Sequence, residues 1–144
     1  DTPRFITEIK GDRDKFLAAL AMSTVYMGAN SIYYGTEITL EGDKDPDCRR
    51  AFPWENLDQE KPFTEKIKEI LGVKNHPAVK NGSIKIYSKE NILRIERFDI
   101  KNNLNLAINL GDEKDFILEE DNIIYANNYQ NKRLGKNSFV IWQV

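Results

Sequence analysis

The sequence predicts an α+β fold in which a helical N-terminal part precedes an all-β C-terminal part. Apolar residues recur at helical spacing in two segments before residue 77, whereas short segments of alternating apolar and polar residues, typical of strands, follow it. A long polar loop, residues 36–56, separates the two helical segments. We therefore place a domain boundary near residues 77–82, with domains at residues 1–80 and 81–144.

Composition indicates a folded protein and excludes some partners. The 144 residues are 40% hydrophobic and 31% charged, with a formal net charge of -2, so disorder is not expected. No basic run is interleaved with aromatic residues, which argues against a nucleic-acid partner. The longest apolar run, residues 16–27, is too short to span a membrane, and we expect no membrane partner.

Cysteine usage and the N-terminus bear on the compartment. Cys48 is the single cysteine, so no internal disulfide can form. No signal-like segment is visible, and the sequence begins without methionine. We expect a cytoplasmic protein and a chain cut from something longer.

Two helices and one buried strand are predicted before residue 77. Asp12 is a candidate N-cap for a helix over residues 13–26, which Gly28 ends. Residues 32–34 are short and apolar without alternation, as in a strand covered on both faces. Thr64 starts a second helix that ends at Gly72. The predicted inward residues of the two helices are Phe16, Leu17, Leu20, Ala21, Thr24, Val25 and Met27, and Phe63, Ile67, Ile70 and Leu71.

Several short strands follow at roughly ten-residue spacing and predict an antiparallel, sandwich-like domain. Turn signals at residues 81–82, 89–91, 101–103 and 111–112 separate them. The apolar strand positions are Ile84, Ile86, Leu93, Ile95, Leu104, Leu106, Ile108, Leu110, Phe116, Leu118, residues 123–125 and residues 139–144.

The loop over residues 36–56, which we call the charged loop, is the best candidate for function. Within six residues it brings together Asp45, Asp47, Arg49 and Arg50, and aromatic residues follow at Phe52 and Trp54. Charged hydrogen-bonding groups beside aromatics, on a loop carried by a rigid scaffold, are typical of a binding loop.

These segments resemble the last part of an α-amylase family enzyme (glycoside hydrolase family 13). DTPRF at residues 1–5 is similar to the end of the family's fourth conserved region, and IYYGTE at 32–37 to the region on barrel strand eight. DPDCRRAFPW at 45–54 resembles the DPxCRxxMxW segment of the neopullulanase and cyclomaltodextrinase branch, from which its Phe-Pro departs. KNHPAV at 74–79 resembles the close of barrel helix eight. The resemblance implies a C-terminal remnant of a (β/α)8 barrel followed by a Greek-key β-sandwich.

The resemblance also implies a chemistry. Retaining glycosidases use a carboxylate nucleophile and a carboxylic acid about 5 Å apart, and in this family both precede the matched part. The third family carboxylate, which stabilises the transition state, falls on Asp1. We therefore expect the parent to be an α-glucan or maltooligosaccharide hydrolase and this chain alone to be inactive. The alternative, for the isolated chain, is that Asp1 is an exposed terminal residue without a role.

By the same resemblance, Asp45 and Arg49 hydrogen-bond a glucose unit one or two places toward the non-reducing end from the cleaved bond. A guanidinium fork and a carboxylate suit the paired hydroxyls of a sugar. The alternative is an ion pair that only fixes the loop's shape, and the two roles can coexist.

Supporting residues are ambiguous. Tyr34 and Glu37 are interpreted mainly as structural, the first through aromatic packing at a strand end and the second through a carboxylate that caps or pairs nearby. Trp54 either stacks on a sugar or pins the loop to the barrel. His76 is predicted to end a helix rather than to bind a ligand or act as a base, and Cys48 to be an inert small residue. No metal-ligand cluster or cofactor motif is visible in the sequence.

Two further expectations remain. A stand-alone carbohydrate-binding or interaction module in the β-domain would need a row of exposed aromatics, which the sequence does not clearly provide. A chain without the preceding barrel strands would expose apolar surface, so we expect an oligomer or a rearranged N-terminal half.

Overall fold

The computed structural model describes residues 2–118 and 122–144. In them the helices are α1 (Phe5–Glu8), α2 (Arg13–Val25), α3 (Leu57–Gly72) and α4 (Pro77–Asn81). The strands are β1 (Ser83–Lys89), β2 (Ile92–Phe98), β3 (Asn103–Asn109), β4 (Lys114–Asp115), β5 (Ile123–Gln130) and β6 (Arg133–Trp142). The predicted order of helices followed by an antiparallel β-domain is confirmed. None of the described helices is long and apolar enough to cross a membrane.

Helix α2 forms as predicted. Asp12 caps it, since its carboxylate accepts a hydrogen bond from the backbone N–H of Lys15 at 2.9 Å. The helix ends at Val25, and Gly28 follows with a φ of 88°, which favours glycine. The predicted inward residues are buried except Met27, which lies beyond the helix and is 56% exposed.

Helix α3 begins seven residues before the predicted start at Thr64. A 3-10 turn over Trp54–Asn56 leads directly into it. Pro62 lies inside the helix and faces solvent. Of the predicted inward residues, Phe63, Ile67 and Ile70 are buried and Leu71 is half-buried.

The predicted strand at residues 32–34 is wrong. Ile32, Tyr33 and Tyr34 are 39%, 53% and 38% exposed, and the described part of the chain holds no strand before β1. A strand requires a neighbour to pair its backbone groups, and no described segment pairs with these residues. The chain turns instead at Gly35, whose φ is 81°.

The described strands form one curled antiparallel sheet rather than the two sheets that a sandwich implies. Its order is β1-β2-β3-β6-β4, and β5 pairs with the other edge of β6. Strand β6 is long enough to pair with β3 near its end, through Phe139–Trp142, and with β4 at its start. The Greek-key connectivity therefore stays a prediction.

Helices and sheet share one core. Buried residues of α2 and α3 pack with Ile95, Leu104, Leu106, Phe139 and Ile141 of the sheet. The opposite face packs a smaller cluster around Phe116, Leu134 and Trp142. This common core lets the sheet hold the helical part, and hence the charged loop, in a fixed position.

Candidate functional site

The charged loop holds short pieces of structure, as is usual for a functional loop of this length. It contains 3-10 turns at Thr36–Ile38, Asp47–Arg49 and Trp54–Asn56. Both ends of the loop lie on α3: the turn at Thr36–Ile38 packs against this helix, and the turn at Trp54–Asn56 runs directly into it. The Thr64 hydroxyl donates to the backbone carbonyl of Glu37 at 3.0 Å.

Asp45 and Arg49 are brought together in the middle turn. Nε of Arg49 donates to Oδ1 of Asp45 at 2.7 Å, and Nη2 donates to Oδ2 at 2.6 Å. The carboxylate raises the pKa of Arg49, first through these hydrogen bonds and then through its charge. The Arg49 side chain remains 59% exposed and that of Asp45 37% exposed, so both retain hydrogen-bonding capacity that faces solvent.

A second ion pair shapes the same turn. Nη2 of Arg50 contacts both carboxylate oxygens of Asp47, at 2.6 and 2.5 Å. The backbone N–H of Asp43 also donates to Asp47 at 2.7 Å. These hydrogen bonds lower the pKa of Asp47, the contribution from Asp43 being the largest. Cys48, in the same turn, is buried.

Arg4 lies beneath the turn and was not singled out by sequence reasoning. It is buried, with its Nε donating to the Cys48 carbonyl at 2.9 Å and its Nη1 to the Tyr34 carbonyl at 2.7 Å. The only sequence signal for it is its place in DTPRF, since a lone arginine has no periodic pattern.

Tyr34 contacts both Tyr33 and the charged loop, in agreement with its interpretation as a packing residue. Its hydroxyl donates to the Arg50 carbonyl at 3.0 Å, and its ring lies 4.5 Å from that of Tyr33. A cavity of about 320 Å³ opens beside this pair and is lined by Thr2, Pro3, Arg4, Phe5, Tyr33, Thr36, Cys48 and Arg49. Arg49 thus faces the same cavity as Thr2 and Pro3.

Glu37 and Trp54 do not line this cavity. Glu37 contacts α3 through its backbone carbonyl, and the expected capping or pairing by its carboxylate stays a prediction. The indole of Trp54 lies 4.7 Å from the Phe52 ring and is 73% exposed. The charged loop therefore presents a flat aromatic surface to solvent.

The remaining predicted residues are mixed. Asp1 lies outside the described residues. His76 is the N-cap of α4, and its Nδ1 accepts from the backbone N–H of Ala78 at 3.2 Å, which confirms its interpretation as a helix-end residue. In the described ranges, no group of three or more His, Cys, Asp or Glu side chains could hold a metal ion.

Comparison with known proteins finds relatives that match part of the chain. The chain is 40% identical over 78 residues to Neopullulanase 2 of Thermoactinomyces vulgaris, and 29% identical over 119 residues to a cyclomaltodextrinase of Bacillus sp. Those matches cover 54% and 82% of this chain but only 13% and 20% of the relatives. No family model matches the chain.

Solved structures extend the likeness to the whole fold. The maltogenic amylase from S. marinus superposes with a TM-score of 0.85 at 25% identity, over 99% of this chain and 21% of that protein. A debranching enzyme from Nostoc punctiforme superposes with a TM-score of 0.80 at 25% identity, over 100% of this chain and 34% of that protein.

The curated relatives and the fold thus show that the chain is related to the α-amylase family, glycoside hydrolase family 13. More particularly, it corresponds to the C-terminal region of the branch that contains neopullulanase, cyclomaltodextrinase and maltogenic amylase. The chain spans about an eighth to a fifth of the length of the first curated relatives that it matches.

Proposed function

We propose that this chain is the C-terminal region of a retaining α-glucan hydrolase and that it supplies a sugar subsite to the active cleft. The observation that carries the proposal is the two-point Asp45–Arg49 pair, exposed beside a cavity, in a chain 40% identical to a neopullulanase over 78 residues. Asp1 would add the transition-state-stabilising carboxylate of the family.

The pair is chemically suited to sugar hydroxyls. Arg49 uses two of its five N–H donors on Asp45, so three remain for a ligand. Each Asp45 oxygen retains a lone pair that can accept a hydroxyl proton. A vicinal diol presents a donor and an acceptor at fixed spacing, which a fork and a carboxylate held together can satisfy at once. The exposed Trp54 ring offers an apolar pyranose face a stacking surface.

The β-domain is proposed to stabilise the catalytic part rather than to bind sugar. Two of its aromatics, Tyr125 and Trp142, pack in the core clusters. Side-chain amides of β5, from Asn127 and Asn128, donate to Asp14 of α2 at 3.0 and 2.8 Å. Among the aromatic residues of the described strands, Phe98 alone is exposed, at 43%. One exposed ring is not a row of exposed aromatics, which disfavours a stand-alone carbohydrate-binding module.

We further propose that the helical part is a barrel remnant and that the isolated 144-residue polypeptide does not hydrolyse α-glucans. The relatives' unmatched portions are long enough to hold the other two carboxylates of a retaining site. One carboxylate cannot act as both nucleophile and general acid. In the longer protein, the exposed segment at residues 26–33 would pack on preceding strands.

The test is a titration of this chain with maltohexaose. NMR chemical shifts of the backbone amides of Asp45, Arg49 and Trp54 report binding. We expect saturable shifts at these residues with millimolar affinity, and no release of reducing sugar. Cellohexaose, the β-linked isomer, is the matched control ligand. Shifts that are absent, or equal with the β-linked sugar, would refute the proposed subsite, and turnover of maltohexaose would refute the assignment of the missing carboxylates.

A further inference from the structure

A single buried guanidinium joins two turns that are far apart in the sequence. Arg4, which is 8% exposed, reaches the Cys48 carbonyl at 2.9 Å with Nε and the Tyr34 carbonyl at 2.7 Å with Nη1. Its guanidinium carbon also lies 4.9 Å from the centre of the Tyr34 ring and 5.1 Å from that of Tyr33. Hydrogen bonds and ring faces thus fix the guanidinium plane from several sides.

The backbone around Arg4 holds the start of the same loop. The Arg4 N–H donates to the Gly42 carbonyl at 2.8 Å. The Gly42 N–H in turn donates to the Thr7 hydroxyl oxygen at 2.9 Å. The segment that contains Arg4 and Thr7 therefore holds the charged loop at Gly42.

The contact with Cys48 acts directly on Arg49. The Cys48 carbonyl and the Arg49 N–H belong to one planar peptide unit, so a donor on that carbonyl orients the peptide from which Arg49 extends. On the other side of this unit, the Arg49 N–H donates to the Pro46 carbonyl at 3.0 Å. Both ends of the peptide are thereby fixed.

A lysine could not make the same arrangement. Its ammonium is one point charge, whereas the two carbonyls are reached by different nitrogens of a rigid fork. The remaining nitrogen, Nη2, is buried and lacks a hydrogen-bond partner within the described ranges. An unpartnered buried donor does not favour stability. What Arg4 contributes is therefore the fixed geometry of the two hydrogen bonds made by Nε and Nη1.

We infer that Arg4 is the positioning residue of the Asp45–Arg49 pair. It sets the position of the pair relative to the cavity and to the segment that follows Asp1. This inference rests on the proposed function for its catalytic meaning, whereas the positioning itself can be measured without sugar.

The first experiment is amide hydrogen exchange on the chain with Arg4→Gln, Arg4→Lys and, as a matched control, Arg94→Gln. Arg94 also lies over an aromatic ring, 4.8 Å from Phe116, but belongs to β2. We expect Arg4→Gln to speed exchange of the Arg49 and Arg50 amides about tenfold while leaving β3 and β6 unchanged. Arg4→Lys should lie between wild type and Arg4→Gln, and Arg94→Gln should leave the loop unchanged.

The second experiment repeats the maltohexaose titration on the same variants. Positioning predicts weaker binding in Arg4→Gln with partial rescue in Arg4→Lys. If the wild type does not bind maltohexaose, the proposed function fails while the exchange result still decides the positioning. Unchanged loop exchange in Arg4→Gln would overturn the inference. So would an equal rise in every strand, or global unfolding of both Arg4 variants, because Arg4 would then serve the fold as a whole.

Discussion

The guanidinium of Arg97 in β2 donates to the carbonyl oxygen of Val25, the last residue of α2, at 3.1 Å across 72 residues of sequence. Its Nη2 donates to the carbonyls of Val79 and Gly82 at 2.7 and 2.9 Å. Helix carbonyls at C-terminal ends lack intrahelical donors, so one side chain satisfies the ends of α2 and α4. Burial lowers the pKa of Arg97, and these carbonyls offset the desolvation.

The first prediction concerns this connection. Arg97→Met should destabilise the chain by roughly 3 kcal/mol, because it leaves three largely buried carbonyls without donors. Arg97→Lys should cost less, since an ammonium can still reach one or two of them. Urea unfolding measures both, and the nearby Lys80→Met, at an exposed position, is the control. Equal stabilities for all three variants would contradict the role assigned to Arg97.

The second prediction separates binding from stability at the proposed subsite. Asp45→Asn and Arg49→Lys should each weaken maltohexaose binding by about 1–3 kcal/mol, since each removes part of a paired donor and acceptor. Unfolding free energies should change by less than about 1 kcal/mol, because the ion pair is exposed. Calorimetric titration and urea unfolding provide the two readouts.

An exposed ion pair elsewhere serves as control for this prediction. Lys68 and Glu65 form one on α3 at 2.8 Å, and Lys68→Gln should leave maltohexaose binding unchanged. A loss of stability without loss of binding in Arg49→Lys would instead support the alternative that the pair only fixes the loop's shape.

The third prediction tests the close packing around Gly42 in the charged loop. A Cβ added at Gly42 would lie 2.8 Å from the Asp47 carbonyl oxygen and 2.8 Å from the Cys48 Cα. Both are backbone atoms that cannot rotate away, so Gly42→Ala should cost about 1–3 kcal/mol and displace the Asp47–Arg49 turn. Gly72→Ala is the control, because a Cβ there meets no atom within 4 Å, and it should be neutral or stabilising.

The elements that sequence reasoning predicted well are those with local signals. The Asp12 cap and the spacing from Phe16 to Val25 determine α2 through contacts one turn apart. The turn predicted at residues 89–91 is also a local feature. It lies between β1 and β2, where Glu90 and Asn91 adopt φ values of 52° and 65°. Such signals need no knowledge of the rest of the fold.

The failures share a dependence on distant partners. Residues 32–34 have strand composition, but strand propensity describes a fit to a pleated neighbour, which this segment lacks. The apolar run Phe139–Trp142 in β6 indicates a strand buried on both faces, and it cannot indicate that β3, β4 and β5 all pair with that one strand. The Asp45–Arg49 pair is four residues apart and could be anticipated, whereas Arg4 acts on carbonyls 30 and 44 residues away.

The fourth prediction concerns the exposed apolar surface next to the loop. Tyr26, Met27 and Ile32 are 44%, 56% and 39% exposed, and apolar side chains grouped in this way promote association. We expect the isolated chain to self-associate in a concentration-dependent manner in light scattering. Met27→Lys together with Ile32→Lys should shift it toward monomer. Ile100→Lys, at a fully exposed position in a β-turn, is the control, and a wild-type monomer at high concentration would contradict the prediction.

The fifth prediction is a pH dependence of the charged loop. The pKa of Asp47 is lowered from 3.8 by the hydrogen bond from the Asp43 N–H and by Arg50, so its ionised form favours the folded turn. This contribution is fully present above pH 3.8 and is lost as the pH falls through the lowered value. We expect the Asp43 amide signal to move and its exchange to accelerate in that window, before the β-sheet amides respond. Asp47→Asn should remove the transition, and Asp58→Asn, at an exposed α3 position, should retain it. A wild-type loop unchanged down to the global acid transition would show that Asp47 does not hold the turn.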